Sequence, residues 1–301
     1  MRSSNPVFSR RGFSRDNGSA GFNAAPQTGG AAVGTAQGPV AGNPYADAPA
    51  ANPYANNPYA QADVQHGVPQ APPTADRMTM DDVVTRTAGT LGTLIVFAAL
   101  AWAVLPVDDA NLGKSYGYAI GAGLIAMVLG LVQSFKRKAS PALILTYAAF
   151  EGVFLGVLSS AIDARVDGAA MQAVIGTMAT FVAVLVAYRT GLIRVNRRFV
   201  GFVMAAAMGF VLLMAVNLLF AAFGGGDGLG FRSGGLGILF GIIGIVLGAL
   251  FLALDFKQVE DGIRYGAPKQ ESWLAAFGLT LTLVWIYMEF LRLIAILQGN
   301  D

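Results

Sequence analysis

The sequence predicts an all-α membrane protein, a seven-transmembrane-helix bundle with a disordered N-terminal arm. Three observations predict it. Of 301 residues, 54% are hydrophobic and 13% charged, where a soluble domain carries roughly 25% charged residues. Residues 1–76 are rich in Gly, Ala, Asn, Pro and Gln, whereas residues 77–301 are mostly long apolar runs. Seven of those runs come near the roughly 20 residues that cross a bilayer core as a helix.

The arm comes first. Residues 1–76 hold too few aliphatic side chains to offset the entropy of ordering and are expected to be disordered and cytoplasmic. The opening MRSSNPVFSRRGF lacks the apolar stretch of a cleavable signal peptide, so the first span is expected to act as an uncleaved insertion signal. An Asn-Pro-Tyr-Ala unit occurs at Asn43 to Ala46, Asn52 to Ala55 and Asn57 to Ala60. It reads either as a low-complexity spacer or as a multivalent tail that docks membrane-protein partners through Tyr45, Tyr54 and Tyr59.

The domain of residues 77–301 follows, with spans at about 85–105, 116–135, 141–162, 168–188, 199–223, 234–256 and 275–297. Runs of this length point to helices, because a backbone in lipid must satisfy its own hydrogen bonds. Lys136, Arg137 and Lys138 follow the second span, Arg189, Arg194, Arg197 and Arg198 the fourth, and Lys257, Arg264 and Lys269 the sixth. The alternate loops hold Lys114, Arg165 and Arg232. This bias puts the N-terminus in the cytoplasm and, with seven full spans, the C-terminus outside; a last segment that dips in and returns would put both inside. Small-xxx-small pairs at Gly117/Gly121, Gly152/Gly156 and Gly244/Gly248 suggest close helix contacts.

Carboxylates within apolar spans are costly and are candidates for function. Glu151 lies mid-span in YAAFEGVFLG, Asp255 closes the sixth span in LFLALDF, and Glu289 lies deep in LVWIYMEFLRLIAIL. Two of these sharing a site would hold a proton or a cation near neutral pH. Each also has a structural reading: Glu289 paired with Arg292, Asp255 at the water interface beside Lys257, Glu151 hydrogen-bonded to a neighbouring helix. Asp255 and Glu289 meet only if the sixth helix continues past Asp255. Arg86 opens the first span and either snorkels or counters a buried carboxylate. Asn217 reads as interhelical glue, and Glu260 and Asp261 as solvated loop residues.

Other chemistries are excluded or disfavoured. There is no cysteine, and the one histidine, His66, falls in the arm, so thiolate sites and clustered histidine ligands are absent from the spans. No span carries the core lysine that a retinal Schiff base needs, and only Asp255 could serve an aspartyl protease, which needs two such residues. No Walker loop or dinucleotide fingerprint stands in a suitable context. The net charge of +2 is spread over short clusters between apolar runs, so no nucleic-acid partner is expected. Enzymatic chemistry is disfavoured, no cofactor is expected, and the bilayer is the expected environment.

The span Pro141 to Asp163 and the segment ALDFKQVEDGIRYG followed by WIYMEFLRLIAIL resemble the transmembrane Bax inhibitor motif family, and more closely its bacterial, YccA-like branch. SSNPVFSRRGF and DDVVTRTAGTLG resemble the actinobacterial form. The resemblance implies a compact seven-helix fold in a bacterial inner membrane. It also implies a slow, pH-sensitive calcium leak, with calcium as transported or bound ion. The family's paired, proton-sensitive carboxylates on its last two helices map to Asp255 and, with glutamate for aspartate, to Glu289; its third-helix glutamate maps to Glu151. The expectation is therefore a leak in which Asp255 and Glu289 form the pH-sensing and calcium-binding pair, Glu151 lines the route, and Arg292 and Arg86 are charge partners. The alternative is a non-conducting regulator that binds membrane proteins such as a quality-control protease, with residues 1–76 as tether.

Overall fold

The computed structural model describes residues 77–299 apart from 109, 137, 225–230 and 232. The arm with its Asn-Pro-Tyr-Ala repeats and His66, and the loop residues Arg137 and Arg232, lie outside the described residues. Seven helices follow in order: α1 (Met80–Val104), α2 (Leu112–Phe135), α3 (Pro141–Asp163), α4 (Ala169–Arg189), α5 (Arg197–Gly224), α6 (Gly234–Arg264) and α7 (Glu271–Gln298). All seven are long and apolar enough to cross a membrane.

The helix ends follow local chemistry. Thr79 caps α1 through a reciprocal box: its Oγ1 accepts from the Asp82 N–H at 3.2 Å, and Asp82 Oδ2 accepts from the Thr79 N–H at 3.3 Å. Pro141 opens α3, where its missing N–H costs nothing. Past the end of α4, Gly191 takes φ +73°, a conformation that a Cβ would strain. The largest departure from expectation is at α6, which does not stop near residue 256 but runs on to Arg264. Glu260 and Asp261 therefore lie on a helix rather than in a loop.

α7 organises the bundle. It packs against α1, α3, α4 and α6, and its buried residues, among them Ser272, Phe277, Thr280, Leu283, Ile286 and Leu291, cover at least half of its circumference, a wide apolar face that several neighbours share. Its 28 residues form one unbroken helix, about 42 Å long at 1.5 Å per residue, rather than a segment that dips in and returns. Outside this centre, α3 joins α1 and α2, and α5 is carried on α6. The turn between α6 and α7 is tied to the start of α1: the Met78 N–H donates to the Ala267 carbonyl at 2.8 Å, and Lys269 Nζ lies 3.1 Å from Asp82 Oδ1.

Two of the three glycine pairs are contact points. A Cβ at Gly152 would collide with the Leu94 carbonyl, and one at Gly156 would lie 2.9 Å from Ala98 Cα, so α1 and α3 touch backbone to backbone. At Gly244 a Cβ would lie 2.8 Å from Glu289 Cδ, and at Gly248 it would meet Ile286. The third expectation is corrected: around Gly117 and Gly121 a Cβ meets nothing within 4 Å. The small residues that α2 buries are instead Ser115, Ala119, Ala122, Ala126 and Gly130. Gly156→Val should therefore destabilise the protein by about 1–3 kcal/mol, the usual cost of overpacking, whereas Gly121→Ala should be neutral. Thermal unfolding of the two purified variants checks both.

Candidate functional site: the α6–α7 seam

α6 and α7 run antiparallel, and one stripe of each faces the other. On α6, Gly244 and Asp255 are eleven residues apart, close to three full turns; on α7, Thr282 and Glu289 are seven apart, close to two. Each pair thus shares a helix face. Along the seam Gly244 meets Glu289, Gly248 meets Ile286, and Asp255 meets Thr282. Trp285 Nε1 donates to the Gly244 carbonyl at 3.2 Å and fixes this register.

Asp255 is half-buried and accepts a hydrogen bond of 2.6 Å from Thr282 Oγ1. Among the described residues no cation lies within ion-pair distance of it. Lys257 is not its ion-pair partner. Lys257 turns along its own helix to Asp261, at 2.8 Å, and Glu260, at 3.8 Å, and α6 continues nine residues beyond Asp255.

Glu289 is solved differently. It forms an ion pair with Arg292, one turn on, and the two side chains are 10% and 13% exposed. The glycine face of α6 makes room for them: a Cβ at Gly244 would strike the carboxylate, and one at Gly241 would lie 3.5 Å from Arg292 Nη2.

The expected side-by-side arrangement of Asp255 and Glu289 is corrected. The side chain opposite Asp255 is Thr282, and Glu289 stands about 10 Å farther along α7 at 1.5 Å per residue. The longer α6 does not bring them together, because the register that seats Glu289 on Gly244 fixes Asp255 two turns away. They do not form one calcium ligand set, and among the described residues no three Asp, Glu or His side chains are placed to hold a metal ion.

Glu151 lies at the middle of α3, half-buried, one turn from Tyr147 and one from Leu155. Among the described residues it has no hydrogen-bond or ion-pair partner, so the hydrogen bond to a neighbouring helix is not made. Arg86 is not a counter-charge to any of these carboxylates. It donates to the Lys269 carbonyl and to Ser272 Oγ at the start of α7, and its guanidinium lies 5.3 Å from the Trp273 ring centroid. Asn217 is buried and accepts from the Phe231 N–H at 3.4 Å, so part of its role is to hold the chain that leaves α5.

Thr282 is the site residue that sequence reasoning missed. The signal was available: it stands seven residues before Glu289, hence on the same face of an apolar helix. A hydroxyl in a span is cheap enough to pass as filler, whereas a carboxylate is not.

Similarity to known proteins agrees with this architecture at the level of family. No curated protein matches the chain. The family described as Bax inhibitor 1 like matches residues 5–299, nearly the whole length, and the chain belongs to that family.

Proposed function

We propose that this protein is a pH-sensitive cation leak, for calcium, of the bacterial YccA-like branch, inserted in a bacterial inner membrane with its N-terminus in the cytoplasm. The observation that carries the reading is Asp255, a carboxylate in the α6–α7 seam whose hydrogen-bond partner is a neutral hydroxyl, Thr282. An ionised carboxylate in such a place draws water and cations toward the seam, while a protonated one stays against Thr282 as a neutral group. The change of charge belongs to Asp255, since Glu289 is already balanced by Arg292. Glu151, in the middle of α3 and without a cation partner among the described residues, is the second oxygen ligand along the route. Calcium suits sites of this kind because it accepts flexible oxygen coordination and retains water ligands.

The sign follows from the charge. Raising pH ionises Asp255 and loosens the seam, so flux increases; acidification restores the neutral contact and flux falls. Calcium flux into liposomes across pH 5 to 8 should rise with pH in the wild type and be low and nearly flat in Asp255→Asn. Wild-type flux no greater than that of empty liposomes, with folded protein confirmed, would overturn the leak reading.

Glu289→Gln has a different expected outcome. It removes the carboxylate from a mostly buried ion pair, which costs about 3–5 kcal/mol, and it should lower thermal stability while the pH midpoint of the remaining flux stays near the wild-type value. A midpoint moved as far as in an Asp255 variant would show that the two carboxylates titrate together.

The repeats in residues 1–76 favour a second reading, a non-conducting regulator that grips other membrane proteins through Tyr45, Tyr54 and Tyr59. Deleting residues 1–76 separates the two. A leak through the helices persists in liposomes without the arm, whereas a tether loses its co-purifying partners and shows no flux in either form.

A further inference from the structure

α1 and α4 both pack against α7, but among the described residues they do not pack against one another. Between them opens a crevice of about 1260 Å³, larger than the roughly 300–1,000 Å³ of ordinary small-molecule pockets. Its walls are apolar, with Val83 and Leu91 on α1 and Phe181 and Leu185 on α4, and its floor is Phe256 and Val259 of α6 with Leu279 of α7. The flank is open: Val84 and Val186, which also line it, are 58% and 55% exposed. From Met80 to Leu91 the crevice follows α1 for about 16 Å at 1.5 Å per residue, a length suited to an extended hydrocarbon chain.

The mouth is basic. Arg189 and Arg194 line it, are exposed, and have no hydrogen-bond or ion-pair partner among the described residues. The acidic group there, Glu260, is occupied by the Tyr188 hydroxyl and faces Lys257 at 3.8 Å. An apolar slot below two guanidiniums that are unpaired among the described residues fits a molecule with hydrocarbon chains and an anionic head.

We infer that the α1–α4 crevice is a binding site for one anionic phospholipid, with its acyl chains against Leu91 and Phe181 and its phosphate between Arg189 and Arg194. The chain's own arm is a poorer occupant. Residues 1–76 hold four arginines, at 2, 10, 11 and 15, and four aspartates, at 16, 47, 63 and 76, so they bring no net negative charge to a basic mouth, and they have no long apolar run. The site is independent of the proposed leak.

The test uses the full chain in nanodiscs with equal phosphatidylglycerol and phosphatidylcholine, followed by native mass spectrometry. The wild type should retain one phosphatidylglycerol in preference to phosphatidylcholine. The double variant Arg189→Gln, Arg194→Gln should lose that preference on the order of tenfold or more, since each membrane-surface cation contributes to anionic-lipid binding. Both substitutions are at exposed positions, so folding is expected to survive. Equal retention of the two lipids by the wild type, or unchanged preference in the double variant, overturns the proposal. Replacing Ala88, on the crevice wall, with photoreactive benzoylphenylalanine identifies the occupant directly. A phospholipid adduct supports the site, and a cross-link to residues 1–76 or to a second copy of the chain overturns it.

Discussion

The enclosure of α7 by α1, α3, α4 and α6 is the constraint on which the rest of the bundle depends. In a bilayer, apolar side chains gain little from meeting each other rather than lipid, so association rests on close packing and on the few polar contacts available. α7 collects both. Ile286 sits on Gly248, Phe290 on Gly176 of α4, and Tyr287 shares a 2.6 Å hydrogen bond with Ser159 of α3. A helix held on so many sides has little freedom to rotate, and its polar residues are therefore assigned to fixed neighbours.

That rigidity explains the different environments of the three membrane carboxylates. Glu289 has a guanidinium one turn away and a glycine-lined trough to hold both, which is the arrangement expected of a structural charge. Asp255 has a hydroxyl, which can serve either protonation state because it both donates and accepts. Glu151 has neither. Ion-paired charges change little with pH, whereas an unpaired carboxylate changes its fit to an apolar seam when it gains or loses a proton. In the proposed leak the functional weight therefore moves from a symmetrical pair to Asp255.

The extension of α6 to Arg264 has a second consequence. It carries Lys257, Glu260 and Asp261 to the end of the bundle where α4 finishes and α1 begins, so that Tyr188 of α4 meets Glu260 while Asp82 of α1 meets Lys269 of the α6–α7 turn. These contacts brace α1 and α4 each against the α6–α7 unit without closing the space between them. The crevice is thus a product of how the two helices are anchored, and its basic mouth is left by the arginines that the bracing does not use.

How much was legible in the sequence depends on the range of the interaction involved. Seven helices could be read directly, because the requirement that a lipid-embedded backbone satisfy itself turns length and hydropathy into secondary structure. The close approaches at Gly152/Gly156 and Gly244/Gly248, and the pairing of Glu289 with Arg292, were also legible, being consequences of spacing on a single helix. The end of α6 was legible only in part: FKQVEDGI permits another turn or two, its polarity gives no end point, and the helix that runs on to Arg264 carries a Lys257–Asp261 pair and meets Tyr188 of α4. Nor could spacing on one helix tell that Gly117/Gly121 would face away, that Arg86 would go to the α7 start, or that Thr282 would stand opposite Asp255. Those depend on rotation and register between helices, which are set by side chains meeting from distant parts of the chain. The sequence by itself determined which groups had to be buried in the membrane; only the tertiary structure decided what each of them faces.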